Sequence, residues 1–499
     1  MSHITEDCLK IIINELQYDL SSLYSCILVN RHWCRIAIPI LWKNPSSLKG
    51  FSPSKLHNMI IFLLPKSSKK FLSDNIPELS LTEISDNKPL FNYISFFTQI
   101  SPDLISGVSK ALIYDDNKEY NNNVGERYKK YILNQEIYKL FINNCKGLKL
   151  FYWDTSHPLF KYQGATTCFS QLCTLKINLI FVTIGNLFDM IQICQNIKHL
   201  EVTNCNKNIE GLVDFINIQR NLQSLCIDFL AKEKLHFSIF RPLNDIIMKK
   251  ASTLKKFTVR PFIRLLSPKI LTSLINLQHL EIISDADFTL ILGGSTMEVW
   301  DEYLSIASFP NLQYLEIYFN TDLFFTKDYM LIEKSNGNIL EINIRREKLH
   351  DPIYTKILII TISKCCPKIK KLTINIEPEN FEDLKEIFLN CTQLEMMSLS
   401  LDSEEHNGDK LLEIILDYSP ETLREYSFFK KENSIFTTKG LEKFFENWKK
   451  SKSPLIFNII NDYYSNEENF TDNNKIIKKY FDEGVIKEYN IYNIYNIYI

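Results

Sequence analysis

The sequence lacks an excess of charge of either sign. Its 57 lysines and arginines nearly balance its 59 aspartates and glutamates, which gives a formal net charge of -2. Proteins that bind nucleic acids or anionic membranes usually carry a strongly basic surface. We therefore predict neither a nucleic-acid partner nor a membrane partner.

Long hydrophobic runs are also missing. Residues 60–64 and 357–360 are among the longest such runs, whereas a bilayer-spanning helix needs about 20 apolar residues. The N-terminus has no basic segment followed by a long apolar run, so we expect no signal peptide. These absences predict a cytoplasmic or nuclear location, or both.

The cysteines show no metal-binding arrangement. There are 12 of them, scattered along the chain without a Cys-x-x-Cys pair, and the adjacent Cys365 and Cys366 do not have the spacing of a zinc half-site. A chain of 499 residues does not need disulfides to fold, so we interpret these thiols as reduced and intracellular. We predict no metal and no other cofactor.

Motifs that carry catalysis are absent as well. Gly293-Gly294 is not followed by Lys-Ser or Lys-Thr, so it does not form a phosphate-binding loop. Neither Gly-x-Ser-x-Gly nor His-Glu-x-x-His occurs, and the nine histidines are dispersed. No pattern of basic neighbours indicates a cysteine with an activated thiol. We therefore predict that the chain has no catalytic residues and is not an enzyme.

What the sequence does contain is a repeated apolar pattern, L-x-x-L-x-L, in which Ile, Val, Phe and Met substitute for Leu. Alternating apolar residues predict a short strand in each copy, and the apolar spacing between copies predicts helices. The clear copies are Leu172-Leu175-Ile177, Ile197-Leu200-Val202, Leu222-Leu225-Ile227, Leu254-Phe257-Val259, Leu277-Leu280-Ile282, Leu312-Leu315-Ile317, Ile339-Ile342-Ile344, Ile369-Leu372-Ile374, Leu394-Met397-Leu399 and Leu423-Tyr426-Phe428. Leu148-Phe151-Trp153 resembles an earlier copy, and residues 455–460 a final strand.

The copies recur about every 28 residues, which is within the period of leucine-rich repeats. The pattern resembles a degenerate form of that family, with Cys205 and Asn320 where the family turns its chain. A single repeat cannot bury its apolar face, so stacked repeats must share a continuous core. The predicted fold class is therefore α/β, a leucine-rich-repeat solenoid or horseshoe. The longest insertion is expected at residues 285–309.

The first 45 residues predict three short helices. An apolar stripe runs from Leu9 to Leu16, Ser21 or Ser22 can cap a second helix, and a third is expected over residues 31–38, ending at Pro39. A segment of about 40 residues is too small for a self-sufficient core. Some of its apolar surface must therefore contact another protein or the rest of this chain.

This stretch resembles an F-box. The family pattern is Leu-Pro, then Asp-Leu, a Val-Cys-Arg-x-Trp-like core and a closing Leu-Trp. The corresponding positions here are Ile4-Thr5, Asp19-Leu20, residues 29–33 (Val-Asn-Arg-His-Trp) and Leu41-Trp42. Thr5 and Asn30 depart from the Pro and Cys of the pattern. The resemblance covers less than a tenth of the chain.

The resemblance implies a small all-α F-box that docks onto a Skp-family adaptor and, through it, onto a cullin. The chain would then be the non-catalytic substrate-recognition subunit of an SCF-type ubiquitin ligase, presenting a bound protein substrate for ubiquitination and proteasomal degradation. Adaptor contacts are expected at the apolar motif positions Leu9, Ile12, Leu16, Leu20, Leu23, Val29, Trp33, Leu41 and Trp42.

A second candidate site lies on the predicted strands. Residues that flank the buried strand positions should point into the concave face, a surface that repeat proteins use for binding. Glu281 and Glu316 occupy the same position in adjacent repeats, and Tyr314 and Tyr318 flank Glu316. Because aromatic and charged residues are frequent at interface hot spots, our hypothesis is a site for a substrate segment with basic residues. Alternatively, these side chains only keep an open sheet solvated.

We divide the chain into an F-box (1–45), a helical connector and N-terminal cap (46–140), degenerate repeats (141–465) and a C-terminal cap or tail (466–499). Residues 115–125 are polar enough to predict a loop. The aromatic–amide run at residues 491–499 is compatible with a capping strand or a disordered tail. Two other functions stay open: a non-catalytic repeat scaffold without a ligase role, and a horseshoe that regulates small GTPases.

Overall fold

The structure is a computed structural model, and it divides into two compact units, residues 1–222 and 223–499. The residues that it describes are 5–79, 89–113, 124–206, 209–230, 235–284, 291–292, 297–319, 327–346, 351–401, 408–430, 436–451, 453–461 and 468–493.

The first unit begins with three helices, α1 (Glu6–Glu15), α2 (Leu20–Val29) and α3 (Arg31–Leu41). Each follows a polar residue, Thr5, Asp19 or Asn30, whose side-chain oxygen accepts a backbone N–H from the first turn. Thr5 and Asn30, which depart from the F-box pattern, are thus helix caps here. Helix α3 contacts both α1 and α2.

Two details of these helices differ from the sequence-based prediction. Helix α2 is capped by Asp19, whose Oδ1 accepts the Ser22 N–H at 3.1 Å, and not by Ser21 or Ser22. Helix α3 does not end at Pro39 but continues to Leu41. Although Pro39 has no backbone N–H to donate, the Trp42 N–H still reaches the Ile38 carbonyl at 3.0 Å, so the last turn closes.

The rest of the first unit alternates helices with short parallel strands. In chain order these are α4 (Pro53–Phe62), α5 (Lys66–Asn75), β1 (Gln99–Ile100), α6 (Pro102–Ile113), α7 (Val124–Asn144), β2 (Leu150–Trp153), α8 (Ala165–Phe169), β3 (Thr174–Asn178), α9 (Ile184–Ile191), β4 (His199–Thr203) and α10 (Ile209–Ile218). Strands β1 to β4 pair in sequence order.

The connector predicted for residues 46–140 is largely helical, but it also supplies β1, which pairs with β2. The sequence did not predict this strand, because two residues are too short to show an alternating pattern. Val124 and Gly125, predicted to lie in a loop, form the start of α7. Residues 115–123 of that predicted loop lie outside the described residues.

The second unit repeats the same strand–helix alternation. Its elements are β5 (Ser224–Asp228), β6 (Leu235–His236), α11 (Arg241–Lys250), β7 (Lys256–Arg260), α12 (Lys269–Ser273), β8 (His279–Ser284), β9 (Ile291–Leu292), α13 (Met297–Ile306), β10 (Tyr314–Phe319), α14 (Tyr329–Glu333), β11 (Glu341–Arg346), α15 (Pro352–Cys365), β12 (Lys371–Asn375), α16 (Leu384–Asn390), β13 (Met396–Leu401), α17 (Gly408–Tyr418), β14 (Glu425–Lys430), α18 (Thr438–Ser451), β15 (Leu455–Asn461), α19 (Glu468–Asp482) and β16 (Ile486–Asn493).

Strands β5, β7, β8 and β10 to β16 of the second unit form one parallel sheet in that order. The repeat copies align across it: Phe257 is opposite Leu280, and Leu280 is opposite Leu315. The prediction of one short strand per copy is confirmed for all ten clear copies. Their apolar side chains are buried against helices, which gives a repeat fold with a mixed α/β composition.

The inserted segments of the second unit contain further structure. Strands β6 and β9, which lie in two different insertions, pair with each other in parallel and form a separate two-stranded sheet. The insertion predicted at residues 285–309 contains β9 and α13, whereas residues 285–290 and 293–296, including Gly293-Gly294, lie outside the described residues.

The repeats continue beyond the predicted last strand. Residues 455–460 form most of β15, but α19 and then β16 follow, and β16 pairs with β15 over seven residues. Residues 491–493 of the aromatic–amide run thus belong to a strand, which favours the capping strand over a disordered tail for that part. Residues 494–499 lie outside the described residues.

Buried polar side chains connect the helix C-termini of neighbouring repeats. In the first unit, Gln219 accepts the Ile197 N–H at 2.9 Å and donates to the Cys194 carbonyl at 3.0 Å. In the second unit, the Cys391 thiol donates to the Cys366 carbonyl at 3.5 Å. These bonds satisfy carbonyl groups that the last turn of a helix leaves without an intrahelical partner.

No helix among the described residues is both long and apolar enough to cross a membrane.

Candidate functional site

Four of the nine predicted adaptor-contact residues are buried inside the first unit. Leu9, Leu23 and Leu41 have almost no accessible surface, and Trp42 packs on Tyr93 and Phe97 with ring centroids 4.7 and 6.0 Å apart. Full burial of such side chains contributes about 1.5–3 kcal/mol each to stability. In this structure they therefore stabilise the chain and leave little surface for a partner.

The other five predicted contact residues keep accessible surface. Ile12 and Val29 are exposed, whereas Leu16, Leu20 and Trp33 are half-buried. None of the five is fully enclosed by the chain's own residues. That they contact an adaptor stays a prediction.

Sequence reasoning missed the most exposed apolar residues of α1, α2 and the turn between them. Leu28 is 84% exposed, Tyr18 is 76% exposed and Ile11 is 65% exposed. Three consecutive isoleucines, residues 11–13, were the available signal: in a helix of this size they cannot all face one core, and only Ile13 is fully buried. The exposed surface of α1 and α2 is therefore larger than the motif alone predicts.

A groove of about 570 Å³ lies between α1 and α3. Its apolar lining comes from Ile11, Ile36, Pro39 and Ile40, and its polar lining from Glu6, Lys10, Asn14, Glu15, His32 and Arg35. Grooves of this kind, apolar with charged residues at the edge, suit an amphipathic helix of another protein.

The second candidate site lies on one face of the sheet in the second unit, where a row of polar residues crosses the strands at the middle strand position. We call it the central row, and it consists of Thr258, Glu281, Glu316, Asn343, Thr373, Ser398, Ser427 and Asn458. Most of these side chains are buried, although the sequence predicted a solvated face.

The predicted site residues come together in two adjacent strands. Glu281 of β8 is directly opposite Glu316 of β10, and Tyr314 and Tyr318 lie on the same side of β10 as Glu316. Whether they bind a substrate stays a prediction. The two glutamates, however, have very different surroundings.

The charge of Glu281 is compensated within the chain. Its carboxylate forms an ion pair with Arg260, lies 3.6 Å from both Lys256 Nζ and His279 Nε2, and accepts the Thr258 hydroxyl at 3.2 Å. Burial alone would raise the pKa of Glu281, but the adjacent His279 side chain and the cationic Arg260 and Lys256 lower it to about 2. Because the Glu281 side chain is only 7% exposed, it offers little surface to a basic segment.

Glu316 is held by neutral donors instead. Its Oε2 accepts the Tyr314 hydroxyl, and its Oε1 accepts Asn343 Nδ2 at 3.0 Å. Burial raises the pKa of Tyr314, and the hydrogen bond to Glu316 raises it further, so the phenol stays protonated and donates. The Tyr314 ring stacks on His279 with centroids 3.8 Å apart.

Arg345, which follows Asn343 on the same face of β11, is directed along the sheet. Its Nε donates to Asn343 Oδ1 at 3.1 Å, and its guanidinium lies over the Phe429 ring, 4.4 Å from the centroid. This contact spans from β11 to β14 above the small side chains between them. The guanidinium is thus held by a cation–π interaction and a hydrogen bond to a neutral amide.

On the opposite face, the sheet buries an ion pair that the sequence did not reveal. Arg346 Nη2 lies 2.6 Å from Asp328 Oδ2, and the Tyr354 hydroxyl donates to Asp328 Oδ1 at 2.6 Å. The Arg346 guanidinium also stacks on the Tyr354 ring at 3.9 Å. No spacing rule connects these three residues in the sequence, so only the fold brings them together.

The described residues contain no group of three or more His, Cys, Asp or Glu side chains that could hold a metal ion.

No family model and no curated protein matches this sequence. Among solved structures, the chain is similar to the leucine-rich repeat-containing protein LegL7 from Legionella pneumophila, with 10% sequence identity and a TM-score of 0.32. That similarity covers 69% of this chain and 94% of the other. A TM-score this low does not establish a shared fold, so the assignment of repeats depends on the strands and helices themselves.

Proposed function

We propose that this chain is a non-catalytic protein-binding scaffold built on leucine-rich repeats. The in-register parallel strands support this, because stacked strands of this kind form a continuous surface on which a partner can lie. The proposed role is to hold one protein on the repeats and another on the N-terminal helices. Such a scaffold belongs to the cytoplasm, the nucleus or both.

Our more specific proposal is that the N-terminal helices are an F-box and that the chain is a substrate receptor of an SCF-type ubiquitin ligase. The spaced motif residues support it, together with the apolar surface that Ile12, Val29, Leu16, Leu20 and Trp33 leave accessible. The exposed apolar surface is the observation that carries the proposal, since unpaired apolar patches mark interaction sites. A Skp-family adaptor would cover it and connect the chain to a cullin.

In this role the chain works by position alone. Holding a substrate protein close to a ubiquitin-charged enzyme raises the effective concentration of the reacting groups and lowers the entropic part of the barrier. No side chain of this chain then needs to form a covalent bond.

The test uses two exposed residues in the full-length chain. We expect the double substitution Ile12→Asp and Val29→Asp to abolish co-purification of a Skp-family adaptor, measured by affinity purification and mass spectrometry. Ile353→Asp, at an exposed position of α15 in the second unit, is the matched control and should leave the adaptor in place. Unchanged adaptor recovery in the double variant, at wild-type thermal stability, rejects the F-box proposal.

The alternative is a repeat scaffold without a ligase role, whose N-terminal helices only cap the repeats. The burial of Leu9, Leu23, Leu41 and Trp42 inside the first unit favours this alternative. It predicts that the same purification recovers partner proteins but neither a Skp-family adaptor nor a cullin, from wild type and double variant alike.

A further inference from the structure

The two glutamates that the central row places opposite each other differ in how their negative charge is used. Glu281 has Arg260 as an ion-pair partner, with Lys256 and His279 also close to its carboxylate. These side chains neutralise the Glu281 carboxylate and cover it. A cation from a partner would have to displace side chains that already stabilise the fold, so Glu281 is not where a basic group binds.

The carboxylate of Glu316 has different surroundings from the carboxylate of Glu281. Among the residues that the structure describes, no lysine, arginine or histidine nitrogen lies within 4 Å of its carboxylate. Both oxygens accept hydrogen bonds from neutral groups, Tyr314 and Asn343, so the carboxylate is oriented and its charge is not cancelled. A partly buried carboxylate oriented in this way favours a strong charge-assisted hydrogen bond to a cation.

The nearest cationic residue on the next strand is held away from Glu316. Arg345 uses its Nε on the far side of Asn343 and lays its guanidinium on Phe429, in the direction of β14. Asn343 therefore separates the two charges: its amide nitrogen donates to Glu316, and its amide oxygen accepts from Arg345.

Aromatic rings complete the site around Glu316. Tyr314 and Tyr318 are two residues before and after it on β10, so all three side chains lie on one face of the strand. The stacking on His279 fixes the Tyr314 ring. Aromatic faces attract a cation within about 6 Å and match the apolar stem of a lysine or arginine side chain.

We propose that Glu316, with Tyr314 and Tyr318, is a specificity site that binds one lysine or arginine side chain of a partner protein lying across the strands. The proposal deepens the scaffold function and rests on it. It moves the recognition of a basic segment from the Glu281–Glu316 pair to Glu316 alone. A basic side chain of a polypeptide complements the negative charge of Glu316.

The test begins with an unbiased probe. Full-length protein is used to select peptides from a random-peptide display library, first as wild type and then as Glu316→Gln, which keeps the size of the side chain and one accepting oxygen but removes the charge. We expect wild type to enrich peptides with at least one lysine or arginine, and Glu316→Gln to lose that preference. A selection without lysine or arginine enrichment, including one that enriches no peptide, overturns the proposal.

Affinity measurements on the selected peptides provide the matched control. Glu316→Gln should bind a selected peptide at least roughly tenfold more weakly, and replacing its lysine or arginine by methionine should cost wild type about as much. Glu341→Gln is the control, because Glu341 lies on the same face and is already paired with Lys371 at 3.5 Å. Equal losses in the two variants reject a specific site at Glu316.

The outcome is independent of the N-terminal proposal. Glu316→Gln should leave adaptor co-purification unchanged, since Glu316 is in the second unit and the proposed adaptor surface is in the first. Loss of basic-peptide preference with retained adaptor supports both proposals. Retained preference in Glu316→Gln rejects this site whatever the adaptor result.

Discussion

The N-terminal helices and the strands of the second unit use apolar residues in opposite ways. On the strands, each apolar position of the repeat is enclosed: Leu315, Ile317 and Leu372 have no accessible surface. On α1 and α2, apolar residues face both ways, since Leu23 is fully buried while Leu28 is 84% exposed. The strands thus bury their apolar side chains inside the fold, whereas the helices leave part of theirs accessible.

A second contrast exists within the sheet itself. Glu281 and Glu316 are glutamates at the same repeat position on neighbouring strands. Glu281 forms an ion pair with Arg260, whereas Glu316 accepts a hydrogen bond from the neutral Asn343. Position in a repeat therefore does not determine the role of a polar side chain. The partners that adjacent strands supply determine it.

The largest loss of stability is expected from a substitution in the buried ion pair of Asp328 and Arg346. Asp328→Ala leaves the Arg346 guanidinium buried without its counter-ion, and we expect a loss of about 3–5 kcal/mol in the free energy of unfolding. Chemical denaturation measures it. The control is Glu413→Ala, which breaks an exposed ion pair with Lys443 and should leave the unfolding free energy almost unchanged. Similar losses in the two variants would contradict the assignment of Asp328 to the interior.

The next largest loss of stability is expected from substitutions at the buried apolar positions of the strands. Leu315→Ala removes a fully buried side chain from β10 and should destabilise the chain by about 2–5 kcal/mol, through lost burial and the remaining cavity. Leu28→Ala, the same substitution on the exposed side of α2, should change stability by less than about 0.5 kcal/mol. A comparable cost at both positions, measured by denaturant unfolding, would remove the contrast between strands and helices.

A pH effect of intermediate size is expected from Glu281. Its pKa is about 2 in the folded chain, below its ordinary value of 4.5, so its stabilisation is present above pH 4.5 and is lost as the pH falls towards 2. The contribution is on the order of 3 kcal/mol. Glu281→Gln should flatten the pH dependence of unfolding in that range, whereas Glu341→Gln should retain most of it. An unchanged profile in Glu281→Gln would contradict the ion-pair cluster.

The smallest effect on stability is expected for the exposed helix residues that the function is proposed to need. Ile12→Asp with Val29→Asp should leave the melting temperature close to wild type, because neither side chain contributes much buried area. Thermal unfolding followed by circular dichroism checks this. A large drop would show that these residues stabilise the first unit, and adaptor loss in that variant would then have no functional meaning.

The sequence predicted the repeated part of the fold well, because the L-x-x-L-x-L copies depend on local alternation and recur at a regular period. It did not predict elements that lack a local sequence pattern, or contacts between residues far apart in the chain. Strand β1 is too short to show a pattern, and β16 follows sequence that no longer matches the repeat. The buried Asp328–Arg346 pair depends on contacts between elements separated along the chain.

The candidate sites show the same division. The motif identified Ile12 and Val29 as available for contact but could not distinguish them from Leu9 and Leu23, which the fold buries. Helix periodicity around Leu23 and Leu28 would have separated the two sets. Glu281 and Glu316, in contrast, occupy equivalent repeat positions, and what distinguishes them in the structure is that Lys256 and Arg260 of the preceding strand lie beside Glu281.

The reactivity of the buried cysteines between neighbouring repeats can be used to measure how often the repeats open. Burial raises the pKa of Cys366 and raises that of Cys391 to about 12, so neither thiol reacts with an alkylating reagent while its repeat is closed. Cys194 has the corresponding place in the first unit, where burial also raises its pKa to about 12. The rate at which each thiol is labelled therefore measures local opening in its own unit, and a bound partner will slow labelling most in the repeats that it contacts.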